Sequence, residues 1–459
     1  MKKIFYLIVI LFCTSCKKFL DVKPTGILIP QTVEDFDKLL NNPSIANPSI
    51  NNQWAIDPDT YMTDILYDAL WDPQNQKQYT WDTATADINA DDYDWNDRYA
   101  AIHIYNQIIP NIDGAELGRV PANMKGLIKG EAYAQRAFDY FILVNEYGPH
   151  YSAANLNKKA IPMPLKNNLL AQLPRSTLGE VYGQILSDLQ VAEPLLETAP
   201  AYFSKANFRP GKAAVKALLA LIYLYQGDFV KAVAYSNTAL SLYNFVYDYN
   251  ALQVKVPGNL WSGYNIPDFD QGVDTKEVLW HRIARYDLSD PVLLYAPGLI
   301  NIFDKPNDNR WRLYASQKSY YGDNLAPDYC FATYGEREAG ITVSNLMLVN
   351  AEAKARTNDA PGAVTALNIL RAKRYKAVAA NYVFTTNAAL LTEIKNERRR
   401  ELFATGLNLI DLKRYHAYGD PVPTFTRNVK GTTYTLEPGS YKYVVPICQK
   451  IRNLNPNLH

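Results

Sequence analysis

The chain has 459 residues, with 47 Lys and Arg against 46 Asp and Glu, so its formal net charge is +1. This length is enough for one large core or two small ones, and the balanced charge gives no electrostatic reason to expect nucleic acid or a strongly acidic partner. Beyond the first sixteen residues, only Cys330 and Cys448 remain of the four cysteines, which excludes a disulfide framework.

The first residues have the pattern of an export signal that ends in a lipidated cysteine. Two lysines are followed by an apolar run over 4–12, which is too short to span a bilayer. A pair of small residues then stands directly before Cys16, as in a bacterial lipobox. We therefore predict a signal peptide over 1–15, lipid on Cys16 and an extended leader over 16–30. The alternative is a plain secretory signal with an incidental cysteine.

The segment 41–95 is rich in Asn, Asp and Pro and shows weak periodicity, which favours loops. Within it, the run from Asp87 to Asp91 has the alternating oxygens that open a calcium loop. However, Asp92 stands at the glycine position of such a loop, and Arg98 stands where a bidentate glutamate is needed. The five histidines are scattered without metal-ligand spacing. We therefore predict no metal site and no cofactor.

The clearest helical signal is a tetratricopeptide-type repeat over 209–242, with Gly227-Asp228 as the turn between two antiparallel helices. Small residues stand where the two helices would approach closely. A weaker copy follows over 346–373, with Asn358-Asp359 as its turn. Two such copies predict a stack of helical hairpins.

Repeat units of this kind cannot bury their apolar faces alone, so several must stack. Helical patterns over 123–147 and 176–196 would supply another pair. We therefore predict an all-α fold with a tetratricopeptide-type helical repeat scaffold, formed by repeat helices at about 95–245 and 341–415. A single domain over 31–459 would contain them.

Sequence motifs at separate places in the chain share one family resemblance. They are FLDVKP at 19–24, EAYAQRAF at 131–138, ERRREL at 397–402, DLKR at 411–414 and NPNL at 455–458. Together they resemble the SusD/RagB family, the surface nutrient-binding lipoproteins that partner TonB-dependent transporters in glycan-foraging Gram-negative bacteria. The ERRRE run itself reads as structural, because Glu and Arg three or four residues apart pair along a helix.

The resemblance implies a lipid-anchored outer-membrane protein that faces the cell exterior and has no enzymatic activity. It would capture an oligosaccharide or polysaccharide and deliver it to a partner SusC-like TonB-dependent transporter. Two alternatives stay open. A peptide- or protein-binding member of the same architecture is one, since helical-repeat surfaces commonly bind extended partners. A glycoside hydrolase is the other, although no pair of carboxylates stands out as its acid and base.

The unusual feature of the composition is its 34 Tyr and 7 Trp. A second irregular segment over 245–340 interrupts the repeats and places many of these rings among Gly, Pro, Asn and Asp, and such long segments are usually functional. Sugar rings stack their apolar faces on aromatic rings, while amide and guanidinium groups bond the hydroxyls. Each ring has the alternative role of a buried loop anchor. The candidate ligand-binding residues are Trp54, Trp71, Trp261, Tyr264, Asn265, Arg310, Trp311, Tyr320 and Tyr321.

Overall fold

The computed structural model describes residues 30–70, 72–84, 88–168, 170–205, 207–266, 275–284, 293–322, 324–333 and 338–458. Cys16, Trp71 and Asp87 lie outside these ranges, as do the predicted signal peptide and most of the leader. Within them, no helix combines the length and the apolar character needed to cross a membrane.

The helices are α1 (Val33–Leu40), α2 (Pro43–Ala46), α3 (Asn51–Ile56), α4 (Asp64–Asp68), α5 (Pro73–Tyr79), α6 (Tyr93–Asn111), α7 (Met124–Tyr147), α8 (Leu178–Leu195), α9 (Lys212–Gln226), α10 (Phe229–Leu242), α11 (Pro297–Ile300), α12 (Asn309–Tyr314), α13 (Val343–Arg356), α14 (Ala360–Arg374), α15 (Asn387–Glu401), α16 (Leu407–Ala417) and α17 (Gln449–Leu454).

The turns of the two predicted repeats have the same geometry. Between α9 and α10, Gly227 adopts a left-handed conformation with φ +79°, and the Asp228 side chain accepts a hydrogen bond from the Lys231 N–H. Between α13 and α14, Asn358 takes the left-handed position with φ +63°, and Asp359 caps the second helix. Gly and Asn are the residues that tolerate this conformation best, and Asp is a favoured N-cap. The helical repeat fold is therefore confirmed.

The third predicted pair of helices is present as α7 and α8, which pack against each other. A capping box fixes the start of α8, where the Thr177 side chain accepts from the Glu180 N–H and the Glu180 carboxylate accepts from the Thr177 N–H. In the neighbouring repeat, Ala220 and Ala232 are both fully buried. Small side chains thus line the tightly packed interior of the helical stack, as the sequence predicted.

Short strands occupy parts of the chain that the sequence pattern left as loops. Among the described residues, four strands form an antiparallel sheet in the order β1, β5, β7, β6, and three further pairs are β2–β3, β4–β8 and β9–β10. The strands are β1 (Thr60–Tyr61), β2 (Val254–Val256), β3 (Asn259–Tyr264), β4 (Val278–Trp280), β5 (Leu294–Tyr295), β6 (Ala315–Ser316), β7 (Phe331–Ala332), β8 (Ile341–Thr342), β9 (Phe425–Val429) and β10 (Thr432–Leu436). Seven of these ten strands have only two or three residues, which carry too little alternation to be recognised from sequence.

The charged run at 397–401 is structural, as predicted, but most of its ion pairs are not local. Arg400 pairs with Glu397 along α15, at 2.7 Å. Arg310 and Arg371 reach the same carboxylate from α12 and α14, at 2.6 and 2.9 Å. The Glu397 side chain is fully buried. Ion pairs around this one residue therefore tie three helices together.

Gly406 joins α15 to α16 in a left-handed conformation, with φ +82°, and a Cβ there would collide with the Gln53 side-chain oxygen. The Gln53 amide nitrogen donates to Glu146 at 2.8 Å, so this side chain is held in place. We expect Gly406→Ala to lower the free energy of unfolding by more than the ~1–3 kcal/mol that a left-handed non-glycine residue costs. Chemical denaturation measures this loss.

Gly419→Ala is the matched control for this substitution. Gly419 has φ +74°, but a Cβ there would meet no atom within 4 Å. It should therefore show the conformational cost without the collision. Equal losses in the two variants would mean that Gln53 moves aside and that the close approach is unimportant.

Arg310 is 2% exposed and also pairs with Asp308 at 2.8 Å. We expect Arg310→Met to lower the free energy of unfolding by about 3–5 kcal/mol, because it removes one cation that the buried carboxylates of Asp308 and Glu397 share. Arg119→Met is the comparison, since Arg119 pairs with Glu34 at a side-chain exposure of 86%, and its loss should be far smaller because water screens the pair. A similar small loss at both positions would contradict the structural role of Arg310.

Candidate functional site

One face of the four-stranded sheet carries aromatic side chains. Tyr61 stands opposite Leu294, and Leu294 stands opposite Phe331 in the next strand. Directly opposed residues project to the same face of a sheet, while neighbours along a strand project to opposite faces. Tyr61 and Phe331 therefore share one face, and Tyr295 projects from the other.

The β2–β3 hairpin brings Trp261 onto the face that carries Phe331. The two ring centroids lie 6.1 Å apart at an interplanar angle of 65°. The Trp261 indole N–H donates to the Lys318 carbonyl at 2.9 Å, and its backbone N–H donates to the Asn259 side chain at 3.0 Å. Trp261 is half-buried, so one part of the indole is fixed while another part faces solvent.

A tight turn after Lys318 places two tyrosines beside the indole. Gly322 closes the turn with φ +95°, a conformation that favours glycine. Tyr320 and Tyr321 at the tip are 63% and 78% exposed. The Tyr320 ring lies 6.0 Å from Trp261 and 5.5 Å from Tyr321, close to perpendicular in both cases. Three of the predicted rings therefore form one exposed cluster.

A stacked tyrosine pair adds to the same face of the sheet. Tyr61 and Tyr329 lie 5.0 Å apart with nearly parallel rings, and the Tyr61 hydroxyl donates to the Tyr329 hydroxyl at 3.2 Å. Burial, followed by this hydrogen bond, raises the pKa of Tyr61 above its usual range, so the ring is neutral. We call the whole set the aromatic face. Its members are Tyr61, Trp261, Tyr320, Tyr321, Tyr329 and Phe331.

Trp54 and Tyr264, which the sequence analysis placed on the ligand surface, belong to the core. Trp54 is fully buried in α3, and its indole N–H donates to the Ala404 carbonyl at 2.6 Å. Tyr264 is 3% exposed, and its hydroxyl donates to the Leu313 carbonyl at 3.3 Å. Neither ring is accessible for stacking. The residues around Trp54 have a composition typical of turns, so the sequence analysis did not predict the short buried helix that they form.

Trp311 and Asn265 are also separated from the exposed cluster. The Trp311 ring packs 5.5 Å from Phe303 and 6.4 Å from Tyr295, which projects from the opposite face of the sheet. Asn265 is exposed, but its side-chain oxygen accepts from the Gln253 N–H at 2.8 Å and thereby closes the β2–β3 hairpin. The sheet thus separates Trp311 from Trp261, while Asn265 has a structural role in the hairpin.

Arg310, another predicted ligand-binding residue, is inaccessible because it is buried among the ion pairs described above. Tyr61 and Tyr329 were missed as ligand-binding candidates in the sequence analysis. Tyr61 lies in the first irregular segment, and only its pairing with β5, more than two hundred residues away, places it on the aromatic face. No local pattern carries that information.

Two family profiles match this chain. One, described as "Starch-binding associating with outer membrane", covers residues 18–224, and the other, described as "SusD family", covers residues 332–459. Among curated relatives, the SusD-like protein P2 of Formosa agariphila is 31% identical over 242 residues, and P25 of the same organism is 24% identical over 248 residues. The matches cover 50% and 49% of this chain. They span 44% and 43% of the relatives, which is less than half of each relative's length.

Solved structures resemble the whole described fold. A putative sugar binding protein from Bacteroides vulgatus ATCC 8482 has a TM-score of 0.71 at 20% identity, covering 94% of this chain and 99% of that one. A SusD-like carbohydrate binding protein from the same strain has a TM-score of 0.68 at 21% identity, with coverage of 94% and 98%. At these low identities, the solved structures show only that the fold is shared. The two family profiles show which family the sequence belongs to. The chain belongs to the SusD/RagB family.

Proposed function

We propose that this protein captures an oligosaccharide or polysaccharide on the aromatic face and delivers it to a partner SusC-like TonB-dependent transporter. The observation that carries the proposal is the exposed cluster of Trp261, Tyr320 and Tyr321. Large aromatic side chains are mostly buried in folded proteins, so exposed and mutually packed rings favour a ligand surface. Family membership and the names of the similar sugar-binding structures support a carbohydrate as that ligand.

The geometry of the cluster suits a sugar chain. Near-perpendicular rings offer apolar surfaces in different directions, so successive sugar units can stack without the chain being straight. The tyrosine hydroxyls can exchange hydrogen bonds with sugar hydroxyls. Glycosidases generally use a pair of carboxylates, and the sequence singles out no such pair. We therefore propose binding without a chemical step.

We also propose that the protein is held at the outer membrane by lipid on Cys16 and faces the cell exterior. The lipobox-like sequence before Cys16 and the family description that mentions the outer membrane support this location. A tether at the surface would raise the local concentration of a captured glycan near its transporter.

The ligand surface is tested by Trp261→Ala and Tyr321→Ala, with a glycan first selected on an array. By analogy with rings that stack on nucleic-acid bases, losing one stacked ring should cost about 1–3 kcal/mol, or roughly tenfold to a hundredfold in affinity. Calorimetry measures the affinity, and a melting curve checks the fold. Tyr321 is the cleaner position because its ring is the more exposed.

Tyr441→Ala is the control, since Tyr441 is 71% exposed and lies outside the aromatic face. It should leave both binding and melting temperature unchanged. If Trp261→Ala and Tyr321→Ala bind as tightly as the unaltered protein, the glycan binds elsewhere. Release of product from a labelled polysaccharide by the purified protein would contradict the non-enzymatic role.

Anchoring is tested by Cys16→Ala in cells that lack the partner transporter. Without an acylated cysteine, the protein should move from the membrane pellet to the soluble fraction, because no other anchor is proposed. Immunoblots of the two fractions measure the change. Retention of the variant in the pellet at the original level would refute the lipid tether.

A further inference from the structure

A groove of about 580 Å³ lies between the two repeats and shares no residue with the aromatic face. It is lined by α10, the segment 244–246 that follows it, α13 and α14. Phe245 and Ile369 line it while 39% and 52% exposed. A volume of this size lies within the range of ligand-binding clefts, and partly exposed apolar side chains suit an apolar group of a partner.

The charge of the groove has one sign. Its described lining contains Lys354 and Lys373 and neither Asp nor Glu. Lys373 pairs with Asp248 at 3.2 Å, and both side chains are 41% exposed. Lys354 is half-buried, and no carboxylate of the described residues forms an ion pair with it. The groove therefore holds an uncompensated positive charge beside apolar surface, although the whole chain is nearly neutral.

A chain of hydrogen bonds directs a further donor to the surface of the groove. The Ser236 hydroxyl donates to the Ala232 carbonyl at 2.6 Å, so its oxygen accepts from the Asn350 amide nitrogen at 2.8 Å. The same nitrogen donates to the Asn237 side-chain oxygen at 2.9 Å. Because that oxygen is occupied by Asn350, the exposed Asn237 amide presents its NH₂ group outward.

We propose that this groove binds an extended acidic segment of a partner protein, independently of glycan capture on the aromatic face. A side-chain carboxylate of the segment would bind Lys354 and accept from the Asn237 NH₂ group, since charge-assisted hydrogen bonds to carboxylates are strong. An adjacent apolar side chain would pack against Phe245 and Ile369. A sugar fits less well, because Phe245 is the one aromatic ring among the described lining residues.

The test is fluorescence anisotropy with the full chain and a fluorescein-labelled, amidated peptide of alternating aspartate and leucine. A peptide of alternating asparagine and leucine, with the same shape but no charge, is the comparison. We expect the acidic peptide to bind saturably and the neutral peptide to bind much more weakly. Lys354→Glu should weaken binding of the acidic peptide about tenfold or more. Asn237→Asp, which replaces the donor by an oxygen of the same size, should weaken it as well.

Lys255→Glu controls for overall charge, because Lys255 is exposed on β2 and lies outside the groove. It should bind the acidic peptide like the unaltered protein, and so should Trp261→Ala. The proposal is overturned if the acidic peptide does not bind, or if Lys255→Glu weakens binding as much as Lys354→Glu. It is also overturned if an oligosaccharide of glucuronic acid displaces the peptide at lower concentration than unlabelled peptide does.

Discussion

The burial of Glu397 among arginines is the constraint on which the rest of the structure depends. Burial alone would raise its pKa, but the guanidinium groups of Arg310, Arg400 and Arg371 hold that pKa well below the usual range, so the carboxylate stays charged. An unpaired buried charge costs several kcal/mol, and each partner is therefore required by the others. Arg310 lies in α12, which leads directly into β6. The ion pairs thereby fix the sheet, and through it the aromatic face, to the helical repeats.

The four-stranded sheet separates two environments. On one face, Tyr295 packs with Phe303 and Phe403 in a hydrophobic cluster that continues to Trp311. On the other face, Phe331 supports the half-buried Trp261. Trp311 and Trp261 both come from irregular sequence. The small sheet lies between them, so Trp311 joins a hydrophobic cluster while Trp261 is partly exposed to solvent. A rigid sheet of this kind keeps the exposed rings in a preformed arrangement, which would reduce the entropy lost on binding of the proposed ligand.

Features that depend on neighbouring residues in the chain could be predicted from the sequence, whereas features that depend on distant contacts could not. The repeat turns were recognisable because Gly227 and Asn358 suit a left-handed residue, and each is followed by a helix-capping aspartate. The structural role of the charged run was also predictable, since paired charges on a helix are common. The members of the aromatic face were harder to predict. Trp261 could be proposed from composition, but the burial of Trp54 and the position of Tyr61 depend on contacts with residues more than two hundred positions away.

The turn that carries Tyr320 and Tyr321 has an evolutionary consequence. Both rings stand out into solvent at the tip of a loop closed by its own hydrogen bonds, including one from the Gly322 N–H to the Ser319 carbonyl. Substitutions or insertions at such loop tips are well tolerated. Descendants of this chain could therefore change the shape of the proposed ligand surface by altering a few codons, while keeping the helical stack unchanged.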